Sequence, residues 1–138
     1  MSHKFCNFIK MKILRPYRII SCCFFVLTCI LTFSCTKEGS GGKSSVSGSV
    51  RHHETLIPNS TVYIKYNATE FPGTDIGKYD ASVTTGADAQ YQFKDLRKGD
   101  YYLYGVGYDN AGAYIVTGGI AVKLKYNKTK TINVPVTE

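Results

Sequence analysis

The chain has 138 residues, and its potentially reactive side chains fall into a few groups. All five cysteines, Cys6, Cys22, Cys23, Cys29 and Cys35, lie in the first 35 residues. Thiolate nucleophiles, thiolate metal sites and disulfides are therefore excluded from everything after Cys35. His52-His53-Glu54 is the histidine cluster of that later part. Neighbouring histidines on a loop point apart, and zinc needs three or four converging ligands, so loop-tip polar residues are the expectation. Asp75, Asp80, Asp88, Asp95, Asp100 and Asp109 sit in or beside turn-forming stretches, where Asp serves as a local hydrogen-bonding device. Calcium-loop spacing and a Gly-x-Ser-x-Gly nucleophile motif are both lacking. The residues thus predict no enzyme and no cofactor. The competing reading is a hydrolase whose site is shared by the His52-His53-Glu54 loop and the loop from Asn67 to Lys78.

Tyrosine is the more informative side chain, with ten of the 11 after Cys35. In the run Asp100 to Tyr108, an inward phase for Tyr101, Leu103 and Gly105 turns Tyr102, Tyr104 and Val106 outward. Tyr63 joins them on another strand. Exposed tyrosine offers rigid amphipathic area at low entropic cost, which suits binding. Tyr63, Tyr102 and Tyr104 are accordingly the expected binding surface, against the plainer reading of cross-strand pairs that strengthen a sheet.

Cys35 has a chemical role of a different kind. A basic stretch, MKILRPYR from Met11, precedes a 15-residue apolar run, Ile19 to Phe33, which ends at Ser34-Cys35 and gives way to Gly, Ser and Lys. That is the layout of a bacterial lipoprotein signal: positive n-region, short h-region, and a small residue before the cysteine to be lipidated. Residues 1–34 are the expected signal peptide, and Met11 is a more natural start than Met1. The run falls short of the roughly 18 to 20 residues that cross a bilayer. An uncleaved anchor, or ordinary secretory cleavage leaving Cys35 free, are the alternatives. The partner implied is a membrane, reached through the lipid on Cys35, and the location is the bacterial cell envelope at the outer membrane.

Charge divides at the same point. Five of the 17 Lys and Arg precede Cys35 and all ten acidic residues follow it, so the later part is 12 minus 10, or +2. The basic balance of the whole chain belongs to the leader, and the case for nucleic acid fails.

Residues 35–45, with TKEGSGGKSS after the cysteine, read as a flexible tether of roughly 15 to 20 Å reach. From Val46 the apolar residues recur with period two. Val46, Gly48 and Val50 alternate with polar neighbours, as do Val62, Ile64 and Tyr66, then Ala81 and Val83. Tyr91 and Phe93, Ile120, Val122 and Leu124, and Ile132, Val134 and Val136 continue the pattern. Ile57-Pro58-Asn59, Gly86-Ala87-Asp88, Lys98-Gly99 and Asp109-Asn110-Ala111-Gly112 supply turns. Residues 46–138 are expected to form an all-β domain: an antiparallel sandwich of about seven strands, with Pro135 favouring a sheet edge.

Thr84 to Asp109, TTGADAQYQFKDLRKGDYYLYGVGYD, resembles the carboxypeptidase-regulatory-like, or transthyretin (prealbumin)-like, β-sandwich domains. The matching positions are Thr84 and Thr85, Asp88, Tyr91 and Phe93, Leu96, Gly99 and Tyr101, and Gly107 with Tyr108. Val46-Ser-Gly48-Ser-Val50 and Pro58 with Val62 are similar to the first two strands of such domains. Asp88-Ala89 stands where Asn-Gly is usual, and Lys98 where Pro is usual. The resemblance implies a Greek-key, prealbumin-like fold over 46–138. It also implies a non-enzymatic accessory, binding or structural module, facing an envelope protein or a glycan. A fimbrial or adhesin-type subunit is the alternative. The purine-pathway hydrolase of this fold ends in Tyr-Arg-Gly-Ser, whereas this chain ends Pro135-Val-Thr-Glu138. The Lys–Asn isopeptide of related adhesins is not expected, since Lys65 and Asn133 are both out of phase with the core.

Overall fold

The computed structural model describes residues 37–138. These residues belong to one compact unit. Nine strands run in chain order: β1 (Ser40–His52), β2 (Thr55–Leu56), β3 (Thr61–Tyr66), β4 (Ala81–Thr84), β5 (Gln90–Leu96), β6 (Gly99–Asp109), β7 (Tyr114–Leu124), β8 (Thr129–Thr131) and β9 (Val134–Pro135). A short 3-10 turn at Ile76–Lys78 interrupts the longest connection. The domain is therefore all-β among the described residues, as the period-two patterning predicts.

The strands form two sheets. One is β4-β3-β6-β7, antiparallel throughout. The other is built around β1. Its even-numbered side pairs with β5 and β2, since Val50 donates to the Ala89 carbonyl and accepts from Ile57. Its odd-numbered side faces β8 and β9, with the Ser47 and Arg51 carbonyls accepting from Ile132 and Val136.

The expectation of an antiparallel sandwich of about seven strands needs correction here. β8 and β9 run parallel to β1. The turn after β7 brings the chain back at the start of β1, so the returning segment can run only in the same direction as β1. The extra strands are pieces of two or three residues. Gly48 makes the close approach possible, because a side chain there would overlap the Ile132 carbonyl.

The two inner faces enclose a core of Val46, Val50, Val62, Ile64, Leu103, Val122, Val134 and Val136, all at most 2% exposed. Ile57 and Val116 join them from positions the alternation leaves unmarked. Each fully buried aliphatic of this kind contributes about 1.5–3 kcal/mol. With no cysteine after Cys35, that burial and the ladders hold the domain.

β1 also begins earlier than the Val46 start read from the sequence. Ser40 and Ser44 both align with Leu96 across an irregularity in the ladder, so residues 40–45 belong to the strand and not to a free tether. Lys37 and Gly39 are tied in as well: Arg97 donates to both carbonyls, through Nη1 at 3.2 Å and its backbone N at 2.8 Å.

Candidate functional site

Tyr63 and Tyr104 are register partners on β3 and β6, and Tyr102 lies opposite Lys65, so all three tyrosines project from the outer face of the four-stranded sheet. The outward phase expected for them holds. Their exposure differs from expectation. Tyr104 is only 3% exposed, while Tyr63 and Tyr102 are half-buried. The cover is the connection between β3 and β4, which folds back over the sheet. Tyr79 stacks on Tyr104 at 5.5 Å with an interplanar angle of 17°, and Tyr63 tilts against Tyr79 at 5.8 Å. Phe71 lies 5.3 Å from Tyr104 and 5.8 Å from Tyr102.

The irregular connection is held in place by its own polar groups. Asp75 accepts from the Gly77 amide, the Tyr79 hydroxyl donates to the Gly73 carbonyl at 2.9 Å, and Asp80 accepts from the Tyr66 amide at 2.7 Å. Lys65 reaches Asp80 at 3.1 Å on the same outer face, so it points away from the core. Asn133 is likewise turned away from the core, where its Oδ1 accepts from the Ser49 hydroxyl at 3.0 Å.

The result is a five-ring aromatic platform. Its base is Tyr104, its flank is Tyr63 and Tyr79, and its open edge is Phe71 with Tyr102. Phe71 remains 49% exposed. The Tyr79 phenol is pushed up to about 12, first by burial and then by the neighbouring Tyr104 and Tyr102 hydroxyls. Burial raises Tyr102 as well. The Tyr79 and Tyr102 phenols are thus neutral at physiological pH. An aromatic surface with hydroxyls at its rim can stack on an apolar or sugar face and hydrogen-bond its edges. Phe71 and Tyr79 escaped the sequence reading because strand phase says nothing about a connection that folds back. The one available signal was a Phe beside Pro72-Gly73 in an otherwise polar stretch.

The histidine loop is organised differently from the expected polar tip. His52 is the last residue of β1, and its Nδ1 lies 2.8 Å from Asp109 Oδ2; the two side chains are 11% and 8% exposed. Asp109 also accepts from the Ala111 and Gly112 amides, at 2.9 and 3.5 Å, closing the β6–β7 turn. These bonds, led by the one from His52, hold its carboxyl below the usual carboxylate range. Tyr114 meets the His52 ring edge-on at 5.9 Å. His53 is exposed. The pair fastens the end of β1 to the end of β6.

That placement separates the two loops of the competing hydrolase reading. The Asn67–Lys78 connection leaves β3 beside Asp100, where the Ala68 amide reaches the Asp100 carbonyl, while His52 sits at Asp109. Asp100 and Asp109 are nine positions apart on β6, roughly 30 Å of strand, and where the connection folds back onto Tyr104 it is still five positions, roughly 17 Å, short of Asp109. Those two loops do not form one site. Among the described residues, no three His, Cys, Asp or Glu side chains converge to hold a metal ion. Cys35 lies outside the described residues.

No protein-family profile matches the chain, and no curated protein matches it. Among solved structures it is similar to a candidate carbohydrate-binding protein of Pseudomonas aeruginosa, at 12% identity and a TM-score of 0.47, over 70% of this chain and 90% of that one.

Proposed function

We propose that this chain is a lipid-anchored lipoprotein of the bacterial cell envelope, held at the outer membrane through Cys35, whose β domain is a non-enzymatic binding module. The aromatic platform carries the binding part of this reading. A large apolar side chain left half-exposed is costly unless something covers it, and Phe71 sits in a connection fixed by its own hydrogen bonds. Its partner is an envelope protein or glycan that stacks on Phe71 and Tyr102. The carboxypeptidase-regulatory-like assignment is part of the same proposal. Its motif residues Tyr91, Phe93, Leu96 and Tyr101 are buried core positions, which suits a fold signature and not a catalytic one.

Two experiments test the reading. Replacing Cys35 with Ala should abolish metabolic acyl labelling and shift the protein in membrane fractionation; unchanged label would remove the anchor. Crosslinking in intact cells should give a discrete adduct that the Phe71→Ala, Tyr102→Ala double variant loses. An adduct that persists in this variant would move the binding site elsewhere.

A further inference from the structure

The two ends of the domain differ sharply in charge. At the end where β6 begins, three segments come together: the start of β1, the β5–β6 turn and the β7–β8 turn. Gly41, Gly42, Arg97, Lys98 and Tyr126 line a cleft of about 360 Å³ there. Beside it, Lys125, Lys128 and Lys130 line a second concavity with Lys123. Lys43 is exposed on the first turn of chain over the same end. Lys123 is taken up by Asp100 at 3.1 Å, but among the described residues Lys43, Arg97, Lys98, Lys125, Lys128 and Lys130 make no salt bridge. The acidic groups of this end are Glu38, Asp95, Asp100 and Glu70, the last beside Thr69, which lines a hollow with Asp100, Lys123 and Lys130. The far end carries Glu54, Asp88, Asp109 and Glu138, with Arg51 turned onto Glu54 at 3.7 Å. A unit of net charge +2 has thus sorted its cations to one pole.

Two further observations point the same way. Tyr126, at the tip of the β7–β8 turn, is 62% exposed in the middle of the cations. Tyrosine flanked by lysine is the composition that settles at the headgroup level of a membrane. The N-terminal end of the described chain also lies at this pole, because Lys37 and Gly39 are bonded to Arg97. Two residues of extended chain span about 7 Å at most.

We infer that this cationic pole is a docking surface for the anionic phospholipid headgroups of the bilayer, so that the domain lies on the membrane pole-first with its aromatic platform turned sideways. The orientation rests on the anchoring proposed above; the affinity of the pole for anionic lipid does not. Charge complementarity sets the partner, and the short span from Lys37 to Cys35 sets the geometry. A headgroup phosphate fits the Arg97-Lys98-Tyr126 cleft, with the neighbouring lysines over adjacent lipids. Each surface cation contributes about a fivefold gain in partitioning onto an anionic membrane.

The test has two arms. In native membranes holding the full chain, a water-soluble amine-reactive label should modify Lys98, Lys125 and Lys128 several-fold more slowly than Lys78, and detergent should erase the difference. Equal rates with acyl label still present on Cys35 would overturn the docking while leaving the anchor standing. Separately, the compact unit 36–138, which contains the whole core described above, should co-sediment with vesicles of equal phosphatidylethanolamine and phosphatidylglycerol but not with phosphatidylcholine alone. Lys125→Glu with Lys128→Glu should weaken that binding by at least the roughly 25-fold expected for losing two cations, with circular dichroism unchanged. Binding by this unit from a chain whose Cys35 proves unlabelled would retain the surface and remove the anchor. Absence of binding, or equal binding to both vesicle types, would overturn the inference.

Discussion

The Tyr101 hydroxyl joins Gly39, at the start of the described chain, to the core of the domain. It accepts from the Gly39 amide at 3.1 Å and donates to the Arg97 carbonyl at 2.7 Å, while its ring is fully buried and meets Tyr66 edge-on. One side chain therefore fixes Gly39, the β5–β6 turn and the inner face of the sheet. Burial raises its phenol above the ordinary range, with the Gly39 bond opposing that shift.

Tyr101→Phe keeps the ring and removes the oxygen. The Gly39 amide and Arg97 carbonyl then lose a buried partner, which costs about 1–3 kcal/mol. The expected signature is local: amide exchange at Gly39 to Gly42 accelerates more than global unfolding does. Exchange that rises uniformly across all strands would assign Tyr101 to the core alone.

Tyr104 and Phe71 separate structure from binding. Tyr104 is closed in by Tyr79, Tyr63 and Phe71, so Tyr104→Ala should cost about 3–5 kcal/mol by urea denaturation. Phe71→Ala removes a half-exposed ring and should cost about 1 kcal/mol, while abolishing partner capture. A large loss of stability at Phe71 would mean that it serves mainly as cover for Tyr104.

Much of this was legible from residue order. Apart from Val116 on β7, the inward residues of the long strands follow from period two, and the core contains Val62, Ile64, Leu103, Val122, Val134 and Val136 as that phase requires. Pairing direction was not legible, because alternation is the same in parallel and antiparallel strands. Gly48, whose bare backbone admits β8, reads in sequence as one more inward position. Nor does the alternation reveal that Ser40 to Ser45, rich in Gly and Ser, are held in β1 by partners on β5 and β8. The site was half legible: the outward phase of Tyr63, Tyr102 and Tyr104 was readable, and their covering by Tyr79 was not.

Gly48→Ala tests the parallel pairing directly. The added methyl overlaps the Ile132 carbonyl, which is backbone and cannot rotate aside. We expect a loss of about 3 kcal/mol, the upper part of the range for overpacking. Gly86→Ala is the control, since its nearest neighbour is the Asp88 carboxylate at 3.4 Å. Equal midpoints for the two variants in urea would count against the β1–β8 pairing.

At alkaline pH the burial of Tyr79 in the aromatic platform should cost the domain stability. The unfolded Tyr79 phenol ionises near 10.0 and the folded one near 12. Between those values the folded chain binds more protons, so stability is complete below pH 10 and is lost as pH rises toward 12. Burial pushes Tyr91 up as well, adding to the same slope. Tyr79→Phe should flatten that slope in denaturation measured across this range, and should delete one late step from the phenolate absorbance titration.

The acid limb should report the strut between β1 and β6. An unfolded Asp109 carboxyl takes up its proton near 3.8, and the folded one lower, because His52 and the Ala111 amide donate to the carboxylate. Within that interval the unfolded chain binds more protons, so the contribution of Asp109 is present above it and is lost as pH falls through the folded value. Asp109→Asn should therefore flatten the fall in stability on the acid side. It should also raise amide exchange at Ala111 and Gly112, whose acceptor is that carboxylate. His52→Ala should reproduce the first effect and leave the second smaller, since the turn amides keep their oxygen. Identical acid limbs in wild type and both variants would show that the Asp109 carboxyl, though 2.8 Å from His52, does not couple its protonation to folding.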